Sequence, residues 1–262
     1  MALFHEGFGR LCASKDQTRK IGQRVVIVPN IPARLLDKKN KESQFGVNRT
    51  VADNYAEHGA FLGSGYDGIG QEYLVLPAEN AVPIPEDVPD EIALLAELNS
   101  VSLHAISHVQ DTLRDGKVAV FGDGPVGFLT AAMLNHVYGI PKSDLLVFGA
   151  VADKLAQFDF ATTHSVQQFN FAAERGVVTI LECTGGKFSE SAINQAIDLI
   201  EPQGKIVLMG VSEERVPINT RDVLEKGLAL FGSSRSTAKE FSALMDAFKN
   251  IAYQQTLAKL LP

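Results

Sequence analysis

The stretch 118–127, VAVFGDGPVG, holds the first residues whose types and spacing specify a chemistry. Gly122, Gly124 and Gly127 form a G-x-G-x-x-G directly after a β-branched run and directly before the apolar FLTAAMLNHV. Strand, tight turn and helix in that order is the setting in which this spacing reads as dinucleotide binding. Gly122 permits the turn, Gly124 lets backbone approach a pyrophosphate, and Gly127 lets helix and strand pack closely. The helix then faces the phosphates with its N–H groups and positive dipole end. A glycine turn in some other α/β protein is the bland alternative. The regular alternation of strands and helices after Gly116 favours the dinucleotide reading.

The second strand of that region, DLLVFG, ends at Gly149 where an NAD-selective fold usually carries Asp or Glu for the ribose hydroxyls. Without a carboxylate there, a 2′-phosphate meets no repulsion from the strand end, and Lys154 offers it a positive partner. Asp153 lies too far past the strand for the usual acidic role, and the competing reading of Lys154 is a solvated helix charge. The pattern predicts NADP(H).

Val25–Pro29 reads as a buried strand and Asn30–Gly63 as an exposed excursion around DKKNKES. SGYDGIGQEYLVLP reads as a glycine-rich turn leading into a strand that alternates at Tyr73 and Val75. PIPEDVPDEIALLAELNSVSLHAI opens a helix behind Pro89, with acidic residues in its first turn and apolar spacing through Leu95, Leu98 and Ile106. From Gly116 the expected strands after VAVF are DLLVFG, HSVQQFN, Val177–Cys183, Lys205–Gly210 and LALFGSS. Helices SESAINQAIDLI, INTRDVLEKG and STAKEFSALMDAFKN fall among and after them, the last capped at Ser236 or Thr237. Six parallel strands with crossovers make a doubly wound sheet, with its ligand beyond the carboxyl strand ends at Gly122, Gly149, Gly185, Gly210 and Arg235.

Composition narrows the function class. Of 262 residues, 45% are hydrophobic and 21% charged, which is ordinary for a globular protein, and the net charge of −7 argues against nucleic-acid or anionic-membrane partners. Cys12 and Cys183 are the only cysteines and lack C-x-x-C spacing, so neither a disulfide framework nor a structural zinc is expected. The start, MALFHEGFGRLC, has no basic region followed by an apolar one, and a cytoplasmic enzyme is the expectation.

The order of His5-Glu6, GYDGIGQEYLVLP, LLAELNSVSLHAI, the glycine turn, ECTGG and GSSRS resembles the zinc-type medium-chain dehydrogenase/reductases. The strings SGYDG, VSLHAI, GVSE, LEKGL and GSSRS resemble the ribitol-5-phosphate 2-dehydrogenases within them. The resemblance covers essentially the whole chain. It implies an α/β fold, a Rossmann doubly wound parallel sheet plus an incomplete β-rich GroES-like catalytic domain. The implied boundaries are 1–90 for the partial GroES-like domain, 91–115 for a linking helix, 116–240 for the dinucleotide domain and 241–262 for a returning helix.

The resemblance also implies residue roles. His5 is a catalytic zinc ligand, Glu6 ligates the metal or lies beside it, and Glu97 reaches the metal or its water. The cofactor positions are Gly122, Gly124, Pro125, Val126, Gly127, Gly149, Lys154, Gly210, Val211, Ser234 and Arg235, with Arg235 alternatively holding the substrate phosphate. The implied reaction is NADPH-dependent, zinc-assisted reduction of D-ribulose 5-phosphate to D-ribitol 5-phosphate. That product feeds CDP-ribitol synthesis by a cytidylyltransferase, for teichoic acid or capsule. A homodimer through Leu228–Gly232 is implied as well. The family's first zinc-ligand Cys has no counterpart, Cys12 is not at its position, and the final segment of the catalytic domain is missing, so the chain looks like an internal portion of a longer enzyme. The rival readings are another polyol or secondary-alcohol dehydrogenase, an inert NADP-binding fragment, and a zinc-free quinone or enoyl reductase.

Overall fold

The computed structural model describes residues 2–36 and 51–261. The chain divides into two compact units, Met1–Val101 with Ser234–Gln254, and Ser102–Ser233 with Gln255–Pro262. In chain order the strands of the first unit are β1 (Phe8–Arg10), β2 (Arg24–Ile27), β3 (Asn30–Ile31), β4 (Ala60–Leu62), β5 (Gly65–Tyr66) and β6 (Ala81–Pro83), followed by helices α1 (Asp90–Leu94) and α2 (Ala96–Ser107). Then come β7 (Lys117–Phe121), α3 (Pro125–His136), β8 (Leu145–Gly149), α4 (Ala152–Leu155), β9 (Thr162–Ser165), β10 (Val177–Glu182), α5 (Ser189–Leu199), β11 (Lys205–Leu208), α6 (Thr220–Glu225) and β12 (Ala229–Gly232). Helices α7 (Ala238–Ala247) and α8 (Ile251–Leu257) close the order. Among the described residues no helix is long and apolar enough to cross a membrane.

In the first unit, β1, β2 and β6 form an antiparallel sheet centred on β2, whose Val25 and Val26 are buried. A second small sheet pairs β3 with β4 and β4 with β5, around a core of Ile31, Ala60 and Leu62. Asn30–Gly63 is therefore not the exposed excursion its polarity predicts, because both ends carry buried strands; DKKNKES itself lies outside the described residues. The strand expected at Tyr73 and Val75 is also absent. The alternation there is real, since Leu74 and Leu76 pack on the small core while Tyr73 and Val75 are 73% and 96% exposed. Among the described residues the segment has no neighbouring strand to complete a hydrogen-bond ladder, and alternation without a partner is not a strand.

The single linking helix is two. Leu95 departs from helical geometry (ψ 1°), so α1 stops and α2 begins behind it. Leu95 and Leu98 are only half-buried, and the fully buried positions at this end of α2 are Ala96, Asn99 and Ser100. Within the same unit the Tyr253 hydroxyl donates to Asn99 Oδ1 at 2.7 Å, and the Ser100 and Ser236 hydroxyls lie 2.6 Å apart. Apolar spacing misplaces the buried face because that face is closed by polar bonds. Thr237 opens α7 in a reciprocal capping box with Glu240.

The second unit is an all-parallel sheet in the order β12-β11-β10-β7-β8-β9, covered by helices. The strand order reverses between β7 and β10, which puts the ligand crevice at their carboxyl ends. Val118–Phe121, Leu145–Phe148, Ile180, Leu181, Ile206 and Val207 are buried, as continuous apolar runs must be in a sheet covered on both faces. The third strand is Thr162–Ser165, not the predicted HSVQQFN. Phe169 and Phe171, beyond it, turn their rings onto Phe148 at centroid distances of 4.8 and 5.3 Å. Residues 166–176 thus return to β10 without a helix, held by aromatic packing.

Phe148 is fully buried in this cluster, so Phe148→Ala should cost about 3–5 kcal/mol in urea unfolding. Val75→Ser should stay within about 0.5 kcal/mol. A comparable loss at Val75 would show that its segment is packed after all.

Candidate functional site

The dinucleotide half is built at the carboxyl edge of the parallel sheet. β7 delivers the chain into the glycine turn, and Gly124 and Pro125 start α3. A Cβ on Gly127 would lie 2.0 Å from the Gly122 carbonyl oxygen, so only glycine lets α3 begin this close to the strand. Around Gly124, by contrast, there is open space, where a backbone-bound phosphate needs it. Phe128 N–H returns to the Gly124 carbonyl, leaving the N–H groups of Val126 and Gly127 at the first turn.

Two carboxylates stitch the loops along this edge. Asp123 Oδ2 accepts from the backbone N–H of Ala150 at 2.7 Å and of Val151 at 2.8 Å, tying the glycine turn to the loop behind Gly149. Glu182, fully buried at the end of β10, accepts from Thr184 N–H at 2.6 Å and Gly210 N–H at 3.3 Å. Burial pushes its carboxyl up to about 7 against the pull of those two donors. The Gly186 N–H donates to the Val211 carbonyl, which ties the loops after β10 and β11 together. Val211 is 80% exposed beside them and presents an apolar face. Lys154 stands exposed on α4, next to the equally exposed Asp153. Neither Asp123 nor Glu182 was singled out from the sequence. Their roles depend on partners brought together by folding, and an Asp between two turn glycines reads as turn polarity.

A cluster of side chains that could hold a metal ion lies in the first unit. His5 Nε2 is 3.9 Å from Glu6 Oε1 and 4.0 Å from Glu97 Oε1, and one ligand atom from each residue falls within 4.8 Å of the others. His5 and Glu6 lead into β1, and their segment is gripped by the glycine-rich turn of SGYDGIG. Gly68 and Gly70 N–H donate to the carbonyls of Ala2 and Leu3, and Ile69 N–H to that of Phe4. A Cβ on Gly68 would come within 2.2 Å of the Phe4 carbonyl, which explains a glycine at that position. Glu97 arrives from the first turn of α2, whose neighbours Asn99 and Ser100 carry the polar bonds described above. It is 8% exposed, and burial, with Glu6 beside it, pushes its carboxyl up to about 7.

Ser234 and Arg235 fall in this same unit rather than with the glycine turn. Asn54 donates to the Ser234 carbonyl at 3.1 Å, and Ser234 N–H donates to the Tyr55 hydroxyl at 3.3 Å. Arg235 itself has a left-handed backbone (φ 59°) and sets its guanidinium 5.5 Å over the Phe61 ring. The His5 ring packs on Phe61 too, at 5.3 Å.

Residues 151–250 match the zinc-binding dehydrogenase family. The chain is 39% identical to ribulose-5-phosphate reductase 1 of Staphylococcus aureus (strain NCTC 8325 / PS 47), over 99% of this chain and 72% of that protein. It is 35% identical to the ribulose-5-phosphate reductase of Bacillus spizizenii, over 94% of this chain and 68% of that one. The chain belongs to the zinc-binding dehydrogenase family. The crystal structure of S. aureus TarJ in complex with NADPH superposes on this dehydrogenase with a TM-score of 0.79 at 33% identity, over 99% of this chain and 71% of that one. The α/β fold with a Rossmann-type parallel sheet is the one expected.

The donor set fits the metal that the family carries. One imidazole and two carboxylates suit zinc with a position left for a substrate oxygen. A buried carboxyl whose only ion-pairing neighbour among the described residues is a histidine gains from a cation beside it. The glycine turn likewise fits a nicotinamide dinucleotide, through its open approach at Gly124.

Because Glu97 must lose its proton to bind a metal, zinc affinity should fall by about tenfold per pH unit below about pH 7 from this group alone. Chelator competition measures it, and Glu97→Gln should remove that slope and weaken binding by more than about tenfold. A flat profile in the unaltered protein would contradict the assignment of Glu97 as a ligand.

Proposed function

We propose that this dehydrogenase reduces the C2 ketone of D-ribulose 5-phosphate with NADPH, giving D-ribitol 5-phosphate. The observation that carries the reading is the single aromatic ring of Phe61, which packs against both the metal-cluster imidazole of His5 and the guanidinium of Arg235. A phosphorylated ketose needs a group at its carbonyl and a group at its phosphate, and Phe61 keeps the two side chains in one fixed relation. The name and NADPH complex of the S. aureus relatives support the same substrate and the same cofactor.

In this mechanism His5, Glu6 and Glu97 hold the metal, and Glu97 does so as a carboxylate that burial has made ready to meet a cation. When bound, zinc supplies a Lewis acid at the ketone oxygen and NADPH the hydride for C2. Arg235 takes the phosphate with two parallel N–H donors, for which a guanidinium fork is shaped. Its left-handed backbone costs on the order of 1 kcal/mol. The bonds from Asn54 and Tyr55 to Ser234, and from Ser100 to Ser236, hold it in place. Gly124, Val126 and Gly127 receive the pyrophosphate, with Pro125 giving up no N–H at the helix start. Gly149 closes β8, Gly210 and Val211 border the nicotinamide end, and Lys154 offers a positive partner to the 2′-phosphate.

The product is the substrate of a cytidylyltransferase making CDP-ribitol, and so serves a ribitol-containing teichoic acid or capsule from the cytoplasm. We assign the homodimer to β12, an edge strand of the parallel sheet that can pair with its own copy.

The first test follows NADPH oxidation by zinc-loaded protein with D-ribulose 5-phosphate against unphosphorylated ribulose, with a ribitol-5-phosphate cytidylyltransferase and CTP coupled to the product. The phosphorylated ketose should be favoured by about a hundredfold or more in kcat/KM, and Arg235→Ala should erase most of that preference. CDP-ribitol should accumulate in step. Equal turnover of both ketoses would instead favour a general polyol dehydrogenase. For the dimer, sedimentation should give a species of twice 28.3 kDa. A monomer throughout the micromolar range would overturn that assignment.

A further inference from the structure

The end of β8 is not free of negative charge, although its last residue is Gly149. A Cβ built on Gly149 would lie 2.6 Å from Asp123 Cβ and 2.7 Å from Asp123 Oδ2. The volume that a strand-end side chain would occupy is therefore filled by a carboxyl group arriving from the glycine turn, 26 residues earlier in the chain (149 − 123). Oδ2 is taken by the two N–H groups of Ala150 and Val151. Oδ1 has no hydrogen-bond partner among the described residues, and the side chain is half-buried, so one acceptor stays unengaged.

An acidic group at this point of a dinucleotide fold accepts from a ribose hydroxyl and repels a phosphate in its place. Which element supplies it does not change the electrostatics. Resting on the reading of this chain as a nicotinamide-dependent reductase, we propose that Asp123 is a specificity-determining residue of the cofactor site. Its Oδ1 faces the adenosine ribose, favours the 2′-hydroxyl of NADH, and opposes the gain that Lys154 gives the 2′-phosphate of NADPH. Its Oδ2 holds the loop that carries the two groups in register. Selection between the nucleotides is then a balance of Asp123 against Lys154, and not the outcome of a missing carboxylate.

Charge and loop support separate by substitution. Asp123→Asn keeps an oxygen that accepts both N–H bonds and removes the charge. Asp123→Ser is a second neutral variant with a smaller acceptor, and Asp123→Ala loses charge and acceptor together. Dissociation constants for NADPH and NADH are read by fluorescence titration without substrate, on variants whose melting curves match the unaltered protein. A chain that turned over no ketose would still give the answer. Asp123→Asn should shift the NADPH:NADH affinity ratio towards NADPH by about five- to tenfold, the size of one partly solvated charge contact. Asp123→Ala should weaken both nucleotides and speed amide exchange at Ala150 and Val151, while Lys154→Ala should weaken NADPH alone.

In the unaltered protein NADPH should bind no more than about tenfold tighter than NADH, because the two charges offset one another. An equal change in both affinities in Asp123→Asn would overturn the proposal. So would a preference for NADPH above about a thousandfold in the unaltered protein.

Discussion

A carboxylate taken out of water has to be compensated, and the first unit is arranged around one such group. Glu97 is nearly inaccessible, and burial with Glu6 beside it pushes its carboxyl up to about 7, because that environment suits a lone charge poorly. The arrangement persists because α2 is tied elsewhere, through Asn99 to Tyr253 and through Ser100 to Ser236. The glycine-rich turn then brings His5 and Glu6 to the same point by clasping the backbone of residues 2–4. Polar bonds distributed over the helix thus keep in place a group that is costly by itself.

The parallel sheet solves a related problem with the same chemistry used twice. Loops at the carboxyl edge of a parallel sheet leave backbone N–H groups without ladder partners. Asp123 accepts from two of them, Ala150 and Val151, and Glu182 from Thr184, while its carboxylate shares the Gly210 N–H with the Glu182 carbonyl oxygen. A carboxylate receiving two N–H donors is a strong local fastener. It fixes the rim of a ligand crevice without spending hydrophobic surface, which the strands and α3 have already consumed in the core.

The parallel sheet is legible in the sequence because its signals are local. The β-branched runs at Val118, Leu145, Val177 and Lys205 and the glycine turn carry their own period and punctuation, and the observed strands begin at or beside those residues. Failures come where structure is settled through space. Tyr73 and Val75 alternate correctly with Leu74 and Leu76 but find no ladder partner among the described residues, and Phe169 leaves the expected third strand to pack on Phe148. The buried face of α2 is polar, so apolar spacing points elsewhere. Arg235 can be singled out by its position after the last strand, yet its stacking on Phe61 depends on residues more than 170 positions apart (235 − 61 = 174). His5 and Glu97, 92 positions apart (97 − 5), are linked from the sequence only by the resemblance.

The first unit is assembled from two stretches of chain separated by the whole parallel sheet. Its three candidate metal ligands, His5, Glu6 and Glu97, precede the sheet in the chain, but the hydroxyls that brace α2 belong to Ser236 and Tyr253, which follow it. On a ribosome the sheet can close as a consecutive run of strands while the earlier segment waits for its last partners. The cluster of His5, Glu6 and Glu97 is therefore made before the hydroxyls that brace it, so in a growing chain the strands of the sheet are complete before α2 gains its last polar partners.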